Sequence, residues 1–187
     1  MSKILHLTIA CFTLLVTFDL GLLAQQADAP RFEDYQVAIW RGSVATLNQH
    51  SHPLARTYRT IIREQRREAG INFAGHYTFV TAGCGTGCSI NGIIDAQTGR
   101  AYFPRELTGW TISIGDYQIS EGEEDFQSFR ADSRLLKIVG RPNIGRMGEG
   151  RQGASGVYYY EWVNNRLRLV KLIHVGSYPP ADSPSRR

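Results

Sequence analysis

A mainly β fold of the α+β class, an antiparallel sheet with one amphipathic helix packed on it, is predicted by three features of this chain. Short runs of β-branched and aromatic residues recur through its middle and C-terminal parts. Turns rich in Gly and Asn separate them, and clear helical periodicity is confined to one segment. No internal repeat, second domain or long linker interrupts the pattern.

The elements follow in order. Tyr35-Gln36-Val37-Ala38-Ile39-Trp40 alternates as a first strand and stops at Arg41-Gly42. A helix is expected from about Pro53 to Ala69, capped by Ser51 or His52, with proline in its first turn and Gly70 as its stop. Leu54, Tyr58, Ile61, Ile62 and Ala69 share helical spacing and are expected to face the core. Arg56, Arg59, Arg63, Arg66 and Arg67 fall mostly on the other faces with Glu64 and Glu68, as on a solvated helix.

After Gly70 the period becomes that of strands. Tyr77–Ala82, Ile90–Asp95, Ala101–Phe103, Trp110–Ile114 and Leu135–Val139 are the candidates, and Asp95 and Gly99 supply a turn between two of them. The last hairpin is the clearest. Val157–Val163 and Arg166–His174 flank Asn164-Asn165, a two-residue turn whose asparagines tolerate positive φ. That turn sets Trp162 opposite Leu167, Tyr160 opposite Leu169 and Glu161 opposite Arg168, giving one core face and one cross-strand ion pair. Phe129–Leu136 resembles the strand start of a propeller blade, but one such segment makes no propeller.

The N-terminus sets the expected compartment. Lys3 precedes an apolar run from Ile4 to Phe18, 15 residues, short of the roughly 20 that cross a bilayer as a helix. Small residues follow at Gly21 and Ala24, so residues 1–24 read as a signal peptide cleaved after Ala24. Residues 25–176 then form a single β-rich domain, and the proline-rich stretch 177–187 reads as a disordered tail. Removing 24 of 187 residues takes away Cys11, Lys3 and Asp19, so the formal charge stays at +4 and two cysteines remain. An even cysteine number suits an oxidising compartment, periplasmic or secreted, with membrane contact during export alone. The basic helix and the acidic loop Glu121–Asp125 segregate the charge, and this speaks against a nucleic-acid partner.

Candidate chemistry concentrates in Asn72-Phe73-Ala74-Gly75-His76-Tyr77, Gly83-Cys84-Gly85-Thr86-Gly87-Cys88 and Ile94-Asp95-Ala96-Gln97-Thr98-Gly99. Three glycines let the cysteine loop turn sharply enough to bring Cys84 and Cys88 into bridging range. Closing so short a loop stabilises by roughly 2 kcal/mol in the chain-entropy model, which makes a structural staple the plain reading. A redox pair lacks the Cys-x-x-Cys spacing and a following helix, and zinc lacks an evident set of partner ligands. His50, His52, His76 and His174 show no spacing that demands a metal. No nucleophile motif surrounds Ser89, and the acidic cluster reads as solvated surface. Gly140–Gly156, with Arg141, Arg146 and Arg151, opens a strand rather than a helix and so reads as a flexible connection, not a phosphate cradle.

These motifs resemble a group of exported bacterial proteins that share an N-F-A-G-H-Y segment, a G-C-G-(T/S)-x-C loop and an I-D-x-x-T-G turn. The likeness extends over about residues 54–103, including Tyr58–Glu64 of the helix. It implies export and an architecture, and it names no reaction. The leading expectation is a non-catalytic binding module for a protein or small-molecule ligand of the cell envelope. His76, Tyr77, Gly85 and Thr86 are its candidate binding residues, Cys84 and Cys88 its disulfide, and no cofactor or metal is called for. The rivals are a purely structural envelope component and an envelope enzyme, hydrolase or thiol oxidoreductase, that uses His76 near the Cys84–Cys88 loop.

Overall fold

Nine residues, Tyr77–Gly85, form strand β1, and their alternation sorts side chains to two faces. Strand β2 (Cys88–Asp95) returns antiparallel, pairing Tyr77 with Asp95 and Phe79 with Ile93. Two short strands share the far side of β2: β3 (Ala101–Tyr102) opposite Ile93 and Ile94, and β4 (Thr108–Thr111) opposite Cys88, Ser89 and Ile90. A second antiparallel sheet is a meander of β5 (Gln127–Phe129), β6 (Leu135–Gly140), β7 (Gly156–Val163) and β8 (Arg166–His174). These positions come from a computed structural model that describes residues 29–112, 126–145, 149 and 151–174. Residues 31–187 form one unit, and of the separate unit 1–30 Ala29 and Pro30 alone are described. The expected signal peptide, the acidic loop Glu121–Asp125 and the tail 177–187 lie outside the described residues.

Two cores follow from the two faces of the first sheet. Phe73, Tyr77, Phe79, Ile93, Leu107 and Trp110 meet Leu136, Ile138, Tyr158, Tyr160 and Trp162 of the second sheet. On the opposite face, Val80, Ile94 and Ala101 receive Leu47, Ala55 and Ile62. Ala55 and Ile62 belong to helices α1 (Pro53–Thr57) and α2 (Arg59–Ala69). The result is the small, mostly β, α+β fold that the sequence predicts, layered as helix, sheet and sheet.

Strand β1 is an edge strand sealed by side chains. Tyr77 exchanges backbone hydrogen bonds with Phe73 at 2.9 and 3.0 Å. The Asn72 carboxamide accepts from Phe79 N at 2.7 Å and donates to Phe79 O at 3.3 Å. The Gln65 carboxamide does the same for Thr81, at 2.9 and 2.6 Å. Two amide side chains thus stand where a neighbouring strand would, and Gln65 ties α2 to the sheet. The edge strand β8 is blunted differently, by a bulge at Val170 and by Arg166, Arg168 and Lys171.

Several local expectations need correction. Tyr35–Trp40 is not a regular strand: a 3₁₀ turn, Phe32–Tyr35, leads into an extended strap whose one β-bridge is Gln36 to Ser133. Its neighbour is the loop 130–134 rather than a strand, so the pairing is intermittent and Ile39 and Trp40 stay 46% and 41% exposed. The expected single helix turns aside at Tyr58 (φ −98°, ψ 18°), which separates α1 from α2. Ile61 and Ala69 face outward, and the face that packs is carried by Leu54, Ala55, Ile62 and Gln65. In the last hairpin the three predicted pairs hold, and Asn164 and Asn165 adopt φ of 52° and 59°. Leu169 nevertheless lies 51% exposed, because the bulge and the sheet edge carry it away from the core. The 140–156 connection is pinned where it is described: Asn143 bridges Gln152, and Arg141 exchanges backbone bonds with Thr111 at 2.8 and 3.0 Å.

Candidate functional site

Residues 72–77 form a tight reversal that positions one end of the β1–β2 hairpin. Asn72 pairs with β1, Phe73 is fully buried, and Ala74 and Gly75 take φ of 45° and 85°. A Cβ on Gly75 would meet Ala38 O at 2.7 Å, so the close approach of the strap requires glycine there. The 95–99 turn sits beside this reversal. Asp95 Oδ1 accepts from Gln97 N at 2.8 Å and Oδ2 from the Thr98 hydroxyl at 2.7 Å, while Ala96 N donates to His76 O at 2.7 Å. A side chain on Gly99 would run into Thr46 O.

That turn delivers Arg100, Ala101 and Tyr102 to the wall of a cleft of about 380 Å³. Ser51, His52, Phe103, Pro104 and Glu106 continue the wall, and Asn165, Arg166 and Leu167 of the second sheet's last hairpin close it. Both sheets therefore contribute. Trp162 joins them, meeting the Tyr77 and Tyr102 rings edge-on at 5.6 and 5.7 Å. The Tyr77 hydroxyl donates to Asn165 Oδ1 at 2.7 Å and so holds the hairpin turn in place. Burial pushes the Tyr77 and Tyr102 hydroxyls above the usual tyrosine pKa, which keeps both as donors. His52 Nδ1 accepts from Leu54 N at 3.2 Å as the N-cap of α1, and its ring lies 4.9 Å from that of Phe103. Partial burial lowers its pKa, in keeping with a neutral, accepting imidazole.

The residues singled out from sequence divide between two places. His76 and Tyr77 stand at the start of β1, and Gly85 and Thr86 at its end, eight residues on, roughly 26 Å apart along an extended strand. His76 therefore does not lie beside the Cys84–Cys88 loop, the placement that the rival enzyme reading expected. His76 stacks on Tyr77 at 4.1 Å between ring centroids, and its Nε2 lies 4.0 Å from Asp95 Oδ1, an oxygen already engaged by the turn. Cys84 and Cys88 form the expected disulfide with Cα atoms 5.1 Å apart, in an exposed loop. Among the described residues no three His, Cys, Asp or Glu side chains gather as metal ligands.

Arg100, Tyr102, Phe103, Asn165 and Arg166 are the site residues that sequence reasoning did not single out. Their one local signal is the pair of turns that they border, and their convergence is tertiary. No helix among the described residues is long and apolar enough to cross a membrane. No protein-family model, curated protein or solved structure matches the chain.

Proposed function

We propose that the protein is an exported, non-catalytic binding module of the bacterial cell envelope that holds a small ligand in the cleft between Tyr102 and the β7–β8 turn. The cleft carries this reading. Its volume falls at the lower end of the range of small-molecule sites, and it combines an apolar wall with a few converging polar groups. Its two sides come from different sheets, fixed to each other by the Tyr77–Asn165 bond and the rings around Trp162, so the site is formed before a ligand arrives. Export is supported by the Cys84–Cys88 disulfide, a bond that persists in oxidising compartments, and by the signal-like N-terminal residues.

Titrating isotope-labelled protein with benzyl alcohol, benzoate and benzylamine tests the site by amide NMR. Saturable shifts at Tyr102, Phe103, Asn165 and Leu167 are expected. Saturable shifts confined to Gly85 and Thr86 contradict the assignment. The mass of the protein recovered from its native host tests export: loss of the first 24 residues is expected, and an intact Met1 with free thiols contradicts it.

A further inference from the structure

We propose that the cleft selects a small molecule bearing a carboxylate or phosphate group beside an apolar ring, an inference that rests on the binding reading above. Arg100 reaches the cleft from the 95–99 turn and Arg166 from the start of β8. Both are exposed, and among the described residues neither takes part in an ion pair. The Arg100 guanidinium carbon lies 5.7 Å from the Tyr102 ring centroid, a cation–π placement that leaves its N–H groups open to an anion.

The acids nearby do not satisfy these cations. Among the described residues that line the cleft Glu106 is the one carboxylate, and it lies 3.9 Å from Arg105 Nη2, a neighbour that offsets its charge. Asp95 is held by Gln97 and Thr98. His52 adds a neutral ring. Two like charges on one small cleft repel each other, and an anion bound between the walls reverses that term. The planar fork of a guanidinium matches the oxygens of a carboxylate or phosphate. Tyr102, Phe103, Pro104 and Leu167 give the remaining wall its apolar character, suited to a ring or short hydrocarbon attached to the anion.

Affinities of phenyl phosphate, benzoate, benzyl alcohol, benzylamine and inorganic phosphate, read from NMR shifts at the cleft, test the assignment. Phenyl phosphate and benzoate are expected to bind roughly tenfold tighter than benzyl alcohol, with benzylamine weakest. Arg100→Ala and Arg166→Ala are each expected to remove most of that advantage, weakening the anions far more than benzyl alcohol, and added salt to shrink it. Unaltered melting temperatures confirm that the variants fold. Equal affinity for the anions and the alcohol overturns anion selection and leaves the binding module standing. So does an anion preference that survives both substitutions. Inorganic phosphate binding as tightly as phenyl phosphate removes the apolar half of the proposal. No saturable binding of any aromatic probe at the cleft sinks this inference and the binding reading together.

Discussion

At one end of the β1–β2 hairpin a covalent bond closes an exposed glycine loop, whereas at the other end Tyr77 and Tyr102 close against Trp162 and Asn165 of the second sheet's last hairpin. The covalent staple needs no neighbours and can stand in solvent. The packed end needs many, and the residues that supply them leave a cleft where two sheets fail to seal completely. Rigidity at the two ends thus has different sources, and a ligand site forms where several elements converge rather than where one loop is locked.

Substitutions that act on one end and spare the other sharpen the contrast. Phe73→Ala, at the fully buried centre of the packed end, is expected to cost about 3–5 kcal/mol by chemical denaturation. A loss under about 1 kcal/mol would show that the reversal at 72–77 does not anchor the core. Cys84→Ser is expected to cost about 2 kcal/mol and to leave phenyl phosphate affinity untouched, since the staple lies at the far end of β1. A matched loss of affinity would tie the loop to the site after all. Tyr77→Phe removes one hydrogen bond to Asn165, an expected cost near 1 kcal/mol, together with a weaker hold on ligands at the cleft. Unchanged stability and affinity would separate the tyrosine from the hairpin turn.

The smallest expected effect concerns pH. His52 has its pKa lowered below the ordinary 6.5, so the unfolded chain takes up the proton first as pH falls. Its contribution is therefore complete above about pH 6.5 and is lost as acidification proceeds through the lower folded-state value. His52→Asn keeps a side-chain oxygen as N-cap acceptor and is expected to flatten this slope. An unchanged slope, measured by melting between pH 5 and 8, would assign the titration elsewhere.

How much of this the sequence discloses depends on the range of the forces involved. The Cys84–Cys88 bridge, the Asn164-Asn165 hairpin with its three cross-strand pairs and the Asp95–Gly99 turn are local, and residue chemistry declares them. Tyr35–Trp40 misleads because alternation shows that a segment is fit to pair and not whether a strand lies beside it. Ile61 misleads because Gln65, whose carboxamide occupies the edge of β1, helps to set which face of α2 turns inward. The candidate pair Tyr77 and Gly85 shares one strand and is divided by its length. Arg100 and Arg166, by contrast, are far apart in the chain and line one cleft because the two sheets pack face to face. No local pattern carries that information.

The most direct measurement is a crystal structure of the protein soaked with phenyl phosphate. The account predicts the phosphate oxygens in hydrogen-bond contact with the Arg100 and Arg166 guanidinium groups and the ring against Tyr102 and Phe103. Density for the ligand at the Cys84–Cys88 loop, with the cleft holding solvent alone, would contradict it.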